Sequence, residues 1–545
     1  MNLSKRFSTS SAPSDERTDI GNSKEKKHVL NLRIRLLVCS LVPLIVGVSL
    51  CSCGQSDTEQ NTNLTEDNAN ASTEPENDKD PSTLTDAKDQ EAAYTYSTFF
   101  LPSMDGTSQP YVGDTMPYYE DGVYYIYYLK DQGDSYHHSI YLATTTDFVT
   151  YTEFDDPVIE ASLDGGQDDW IGTGSVVKVG ETYYFFYTGH TDSEEYHEKI
   201  MVASGSNPDS FNKMTGWEIT PPDELNQKND FRDPQAYYDP ETETIEMTVT
   251  ASQDGVARIL KYTLSADLQT VTYDGIIFTN SEGDFWNLEC SDTFRIGDTW
   301  YITYSAQDDT LWYATSNTPY GPYGEAKRLE GKLFYAAKHV EDGENAYMVG
   351  WARRSESATS LTSVSAWAGN LAVQKIVQKG NGELILAPVD NIAAEFSESQ
   401  ALAFEDTEVL IEADSQFSYT DAFTCYESFL ISGEFQYTGE GSFGLSFDYN
   451  GETDKNKMIS ISPAENKLQL LFKEGRILIA ETEINLTPGE SYGFTYIQEG
   501  SVGIFYIDDM VALTVRIYGA SGKPIQLFAR DNSVTFSSLQ QYTRP

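Results

Sequence analysis

The chain has 545 residues, a formal net charge of −49 and 13% aromatic residues, among them 36 Tyr and 26 Phe. Such an excess of carboxylates argues against nucleic acid as a partner, because phosphates would be repelled, and against docking on anionic lipid through charge. The length implies more than one domain, and the aromatic content supplies ample core material with a bias toward strands.

The N-terminus reads as a targeting segment. Lys24, Lys26, Lys27, Arg33 and Arg35 form a basic flank, and Leu36 to Leu50 is an almost wholly apolar run. That run has the length of a signal-peptide core and is short for a membrane span. The next stretch, Leu50-Cys51-Ser52-Cys53-Gly54, resembles a bacterial lipoprotein cleavage box in which Cys53 becomes the lipidated first residue. Residues 1–53 are therefore expected to be a lipoprotein signal peptide, and the mature protein is expected at the extracellular face of the cell membrane. A plain secretory signal or a short anchor helix is the alternative. Residues 54–92 hold no aromatic residue and eleven acids against Lys79 and Lys88. A stretch of this kind buries too little apolar surface to order itself, so it reads as a disordered acidic linker.

Only Cys290 and Cys425 remain beyond the leader, and they fall in different predicted domains, so no disulfide between them is expected. Cysteine spacing for a metal is lacking, and the six histidines are scattered. Neither a metal nor a cofactor is expected.

From Tyr94 the chain reads as strands joined by tight turns. One unit recurs: an extended run, a turn with Gly or Asp-Pro, then an aromatic-rich run. The turns at 122, 180, 239, 297 and 343 are spaced by 58, 59, 58 and 46 residues. Repeats of this size suit the four-stranded blades of a propeller. After Pro388 the texture changes to apolar–polar alternation, as in Phe443-Gly444-Leu445-Ser446-Phe447, with turns every ten residues or so, the pattern of a two-sheet sandwich. The expected fold is all-β: a five-bladed β-propeller over residues 93–395, followed by a C-terminal β-sandwich over 403–545.

Three carboxylates stand just before hairpins. They are Asp114 in Gly113-Asp114-Thr115-Met116-Pro117, Asp233 in Phe231-Arg232-Asp233-Pro234, and Glu289 in Asn287-Leu288-Glu289-Cys290-Ser291-Asp292. They belong to the first, third and fourth copies, and matching places in a propeller repeat become neighbours around one axis. Two acids flanking a sugar bond, with a third holding the ring, are what glycoside cleavage needs. A neutral sugar is also indifferent to the strong negative field.

An ordered set of motifs resembles the β-fructofuranosidases of glycoside hydrolase family 32, which include invertases, levanases and inulinases. Arg232-Asp233-Pro234 is similar to that family's R-D-P motif, and Glu289-Cys290-Ser291-Asp292 to its E-C-P-D motif, with Ser291 in place of Pro. Gly172-Thr173-Gly174-Ser175 with Tyr187-Thr188-Gly189, then Phe334-Tyr335-Ala336-Ala337, Gly350-Trp351 and Trp367-Ala368-Gly369-Asn370-Leu371 resemble further family segments. The resemblance runs from about residue 95 to the end. It implies a retaining mechanism with Asp114 as nucleophile, Glu289 as general acid/base and Asp233 as transition-state stabiliser kept ionised by Arg232. It implies substrate contacts from Arg232, Ser175, Gly174, Trp170, Tyr335 and Trp351, and fructose-containing oligo- or polysaccharides as substrates.

The chain departs from the family in its first motif, where W-M-N-D-P-N-G is replaced by Val112-Gly113-Asp114-Thr115-Met116-Pro117. Leu129 stands where a Gln usually ends the following strand, and Lys332-Leu333 stand in place of an acid. A catalytically inactive fructan-binding lipoprotein, or a furanosidase or fructosyltransferase of changed specificity, are the alternative readings.

Overall fold

The computed structural model describes residues 96–545 apart from 107, 134–136, 193–194, 226–228, 282, 356–363, 365, 406–407 and 452–454. All of these belong to one compact unit, Asp78–Pro545. The leader with Cys53 and the acidic linker lie outside the described residues.

Five antiparallel four-stranded sheets follow one another along the chain. Blade 1 takes Tyr111–Glu120, Val123–Asp131, Ile140–Thr145 and Thr152–Glu153; blade 2 takes Trp170–Val179, Thr182–His190, Glu198–Asn207 and Ser210–Ile219. Blade 3 is Phe231–Asp239, Thr244–Gln253, Val256–Ser265 and Val271–Phe278; blade 4 is Leu288–Ile296, Thr299–Ala306, Leu311–Ser316 and Lys327–Glu330. Blade 5 is Phe334–Glu341, Ala346–Arg354, Ala366–Gln378 and Leu384–Ala387, and it joins blade 1 where Gly369 pairs with Val112. The recurring hairpins of the sequence are the first two strands of each blade. The first strands touch in ring order and the fifth returns to the first, which makes them the innermost strands of a five-bladed propeller.

Every innermost strand carries a β-bulge at the same height, with two residues opposite one. The pairs are Gly113-Asp114 opposite Leu129, Gly172-Thr173 opposite Thr188, Asp233-Pro234 opposite Val249, Cys290-Ser291 opposite Tyr304, and Ala336-Ala337 opposite Gly350. In blades 3 to 5 the first bulge residue is left-handed, with φ of 58° at Asp233, 53° at Cys290 and 50° at Ala336. Non-glycine residues enter that region at a cost of about 1–3 kcal/mol and persist only where their surroundings hold them there.

A five-residue helix, Asp390–Ala394, leads into a β-sandwich of a seven-stranded and a six-stranded sheet that runs from Glu398 to Thr543. Phe443, Leu445 and Phe447 enter its core together with Phe435, Phe494 and Phe505. The sandwich also shares a core with blades 4 and 5, where Val502, Ile504, Tyr506 and Ala512 pack with Phe294, Tyr301, Phe334 and Met348.

Three buried charged groups tie the two parts together. Glu499 accepts hydrogen bonds from the backbone N–H groups of Ser97, Thr98 and Phe99 at 2.8, 2.9 and 3.2 Å. Arg516 donates to the carbonyls of Arg353 and Ala352 at 2.7 and 2.9 Å and to Asn370 Oδ1 at 2.6 Å. Glu330, at the end of blade 4, accepts from Thr514 N at 2.9 Å and Thr514 Oγ1 at 2.8 Å. Burial pushes the Glu330 carboxyl up to about 7, against the lowering effect of the Thr514 and Gly331 hydrogen bonds.

A carboxyl that holds its proton more tightly when folded contributes stability below its ordinary value of 4.5, and that contribution is lost as the pH rises through about 7. The full loss is on the order of 3 kcal/mol. Glu330→Gln keeps an acceptor for Thr514 and cannot ionise. Thermal unfolding should therefore show the variant gaining on wild type as pH rises from about 5 to about 8; two curves that stay parallel would refute the assignment.

Candidate active site

The bulges gather side chains and freed backbone groups at the entry end of the innermost strands. Asp114 is the second bulge residue of blade 1, Asp233 the first of blade 3, and Glu289 directly precedes the bulge of blade 4. Asp114 and Asp233 are linked through Thr173 and Cys290, and the charge of Glu289 acts on both. Thr173 Oγ1 donates to Asp114 Oδ2 at 3.0 Å and lies 3.6 Å from Cys290 Sγ. The Cys290 N–H, left out of the ladder by the bulge, donates to Asp233 Oδ2 at 2.7 Å. The Asp233 N–H donates in turn to Thr188 Oγ1 at 2.9 Å.

Asp114 and Glu289 each have their own aromatic donor. Trp351 Nε1 donates to Asp114 Oδ1 at 3.2 Å, and the Tyr335 hydroxyl donates to Glu289 Oε2. Both rings are buried. The second oxygen of Glu289 accepts from Arg232 Nη2 at 2.9 Å. Glu289 remains 27% exposed at its side chain, so it is open to an entering molecule.

The electrostatics separate the acids. Burial first, and then the charge of Glu289, raise the Asp114 carboxyl above its ordinary value, against the hydrogen bonds from Trp351 and Thr173. Burial pushes the Asp233 carboxyl up to about 6; Arg232, the Cys290 N–H and Lys338 act to lower it, and Glu289 to raise it. Arg232 favours the ionised form of Asp233 through its charge. The guanidinium spends its hydrogen bonds on Glu289, on Glu198 and on Asp230, and desolvation of Asp233 outweighs its field. Glu198 answers that guanidinium: burial raises its carboxyl, but Arg232, His190 and the Phe231 N–H together bring it down to about 2.

Ser175, Gly174 and Trp170 make contacts within blade 2 and with other blades. Ser175 does not join the acids, because its hydroxyl closes the joint between blades 2 and 3, donating to Pro234 O at 3.0 Å and accepting from Ala236 N at 2.9 Å. Gly174 is a close-approach glycine: a Cβ there would lie 2.1 Å from the Phe186 carbonyl, and its own carbonyl accepts from Lys338 Nζ at 2.8 Å. Trp170 stands at the start of its strand, stacked on His190 with ring centres 4.7 Å apart.

The altered first motif has a physical counterpart. The Trp367 indole lies 2.4–2.5 Å from where a Cβ at Gly113 would be, and Leu129 O lies 3.0 Å from it. An Asn at position 113, as in the family pattern, has no room while Trp367 occupies that place. The Trp367 ring also lies 4.3 Å from that of His138, tilted by 40°, and meets Trp351 edge-on at 6.3 Å, so an aromatic wall stands beside Asp114.

Several contributors escaped the sequence reading. Thr173 lay inside a quoted motif without being singled out, and its neighbour Gly172 marks the bulge that turns it toward Asp114. Arg353 follows Trp351 by two residues and so shares its strand face, a signal that could have found it. Glu198 and Lys338 carry no local signal, because only the packing of the blades brings them to Arg232 and Gly174, whereas Asp230 lies two residues before the arginine it bonds.

Ionised Asp233 is the form that favours a cationic transition state. On a fructoside, kcat/KM should therefore rise with pH through about 6 as Asp233 loses its proton. Asp233→Asn should lower kcat/KM by about 10²- to 10³-fold. A pH–rate profile flat across that range would count against this role.

Residues 114–388 match the description "Glycosyl hydrolases family 32 N-terminal domain". The chain is 25% identical over 271 residues to the sucrose-6-phosphate hydrolase of Escherichia coli, covering 45% of this chain and 55% of that protein, so the alignment spans about half the length of that curated relative. Among solved structures it is similar to sucrose-6-phosphate hydrolase from Lactobacillus gasseri, at 18% identity and a TM-score of 0.65, covering 86% of this chain and 97% of that one. It is likewise similar to fructan 1-exohydrolase IIa from Cichorium intybus, at 16% identity and a TM-score of 0.65, covering 84% and 98%. At those identities the two structures speak for the propeller-and-sandwich fold. With the matched segment beginning at Asp114 and covering half of the sequence, the chain belongs to glycoside hydrolase family 32.

Proposed function

We propose that the protein is a retaining β-fructofuranosidase that releases fructose from sucrose, fructo-oligosaccharides or fructans such as inulin and levan. The observation that carries this reading is the convergence of Asp114, Asp233 and Glu289 from three different blades: Thr173 and Cys290 link the two aspartates, and the charge of Glu289 raises both of their carboxyls. The names of the similar proteins, sucrose-6-phosphate hydrolase and fructan 1-exohydrolase, support fructosyl chemistry.

In the proposed reaction, Asp114 attacks the anomeric carbon of the fructosyl unit while Glu289 protonates the departing glycosidic oxygen. A fructosyl ester on Asp114 results. Glu289, now a carboxylate, takes a proton from water, which attacks the same carbon and frees the Asp114 carboxylate. Trp351 and Thr173 steady Asp114 for the attack. Tyr335 and Arg232 hold the two oxygens of Glu289. Asp233 accepts hydrogen bonds from ring hydroxyls and favours the positive charge that builds on the sugar.

The catalytic unit in this proposal is residues 93–395, with the sandwich at 403–545 as its companion. The protein is held at the extracellular face of the cell membrane by lipid on Cys53, with the acidic linker as tether. The exchange of Asn for Gly113 beneath Trp367 favours a sugar or linkage preference changed from the family pattern, or a shift toward fructosyl transfer.

Sugar release from sucrose, inulin and levan tests the activity. Asp114→Asn and Glu289→Gln should each lower it by about 10³-fold or more, as expected when a nucleophile or a general acid/base is removed. Wild type that binds fructans and releases nothing would establish the inactive binding protein instead, and activity indifferent to Asp114→Asn would unseat the nucleophile. Cys53→Ala should move the protein from the membrane fraction to the soluble one; unchanged sedimentation with membranes would mean a retained anchor helix.

A further inference from the structure

Tyr335 and Trp351 face each other across the first two strands of blade 5, where their backbones pair. Their ring centres are 5.5 Å apart at 66°. Arg353 follows Trp351 by two residues on the same face. Its guanidinium carbon lies 4.4 Å from the centre of the Tyr335 ring and 5.1 Å from that of Trp351. Asp309 pairs with the guanidinium at 2.8 Å, and the Arg353 side chain is only 9% exposed. The backbone is held as well, because Arg516 of the sandwich donates to the carbonyls of Arg353 and Ala352 at 2.7 and 2.9 Å.

The two rings under this guanidinium hold different acids: the Tyr335 hydroxyl bonds Glu289, and the Trp351 indole N–H bonds Asp114. We infer that Arg353 is a positioning residue that sets the angle between these rings and so places both carboxylates of the pair at once. A cation on a ring face is attracted by the ring's quadrupole, most strongly where water is excluded. It also draws electron density from the phenol and the indole, which makes the O–H and N–H stronger donors toward the carboxylates. A planar guanidinium can lie over two rings and keep an ion pair at its edge; a lysine ammonium holds the charge but not the plane. The anchoring by Asp309 and Arg516 explains why the guanidinium stays on the rings rather than following solvent.

This inference rests on the fructosidase reading for its kinetic readout, and a second readout stands apart from activity. Sucrose hydrolysis is measured for wild type, Arg353→Met, Arg353→Lys and Asp309→Asn, and for Arg353→Met in a Tyr335→Phe, Trp351→Phe background. Misplacing a catalytic group by about 1 Å costs on the order of 10²-fold. Arg353→Met should accordingly lower kcat by about 10- to 100-fold, with KM held within about twofold. Arg353→Lys should restore part of the loss, and Asp309→Asn should show a smaller loss of the same kind. In the ring-substituted background the effect of Arg353→Met should nearly vanish, since the path through the donors is already gone. Exchange of the Trp351 indole proton, followed by NMR and assigned with Trp351→Phe, should quicken in Arg353→Met and Asp309→Asn. An unchanged kcat, a raised KM alone, the full loss persisting without the two donors, or unaltered indole exchange would overturn the inference. If wild type releases no fructose the fructosidase reading fails, and the indole exchange alone still decides the positioning role.

Discussion

The site depends on one backbone constraint: each innermost strand of the propeller takes an extra residue at the same height. A regular strand sends successive side chains to opposite faces and pairs its backbone groups with its neighbour. A bulge breaks that phase, re-aims a side chain and releases backbone groups from the ladder. Five bulges in register form a ring in which the released groups find new partners. The Cys290 N–H turns to Asp233 and the Asp233 N–H to Thr188, so the irregularity that delivers the acids also supplies their donors. Thr115, beside the bulge of blade 1, fastens the ring to blade 5 by donating to the Val349 carbonyl at 2.7 Å.

Collecting three carboxylates in a poorly hydrated place is costly unless each is answered. The answers here differ from acid to acid. Asp114 receives an indole N–H and a threonine hydroxyl, Glu289 a guanidinium and a phenol, and Asp233 a backbone amide. The weakest set belongs to Asp233, whose carboxyl is pushed up to about 6, whereas Glu198, behind Arg232, is brought down to about 2. The charge of Arg232 is thus divided among several acids, and its hydrogen bond reaches the site through Glu289.

The sandwich contributes to this arrangement without bringing a side chain to the acids. Its buried Arg516 grips the second strand of blade 5 at the residues that follow Trp351. Glu499 grips the chain where it enters the propeller. Thr514 meets the end of blade 4 through Glu330. Blades 4 and 5 carry Glu289, Tyr335, Trp351 and Arg353, so the clamped side of the propeller is the side that holds this carboxylate and the aromatic donors.

Much of this was legible in the chain itself. The five hairpins announced themselves because tight turns demand Gly or Asp-Pro at fixed intervals and strands demand aromatic runs. Asp114, Asp233 and Glu289 stood out because each lies just before such a hairpin, which is where the bulges fall. Sequence could not say what these acids touch. Ser175 and Gly174 share a motif with Thr173, yet one closes a blade joint and the other admits a neighbouring backbone, while Thr173 alone reaches Asp114. Arg232 reaches Glu198 and Glu289 across 34 and 57 residues, and Lys338 reaches Gly174 across 164, contacts made only when the blades pack around one axis. Local chemistry, acting through turn geometry and strand propensity, wrote the blades and the candidate acids into the sequence. Ring closure and the bulge phase, which no short stretch of chain encodes, decided which side chains face one another.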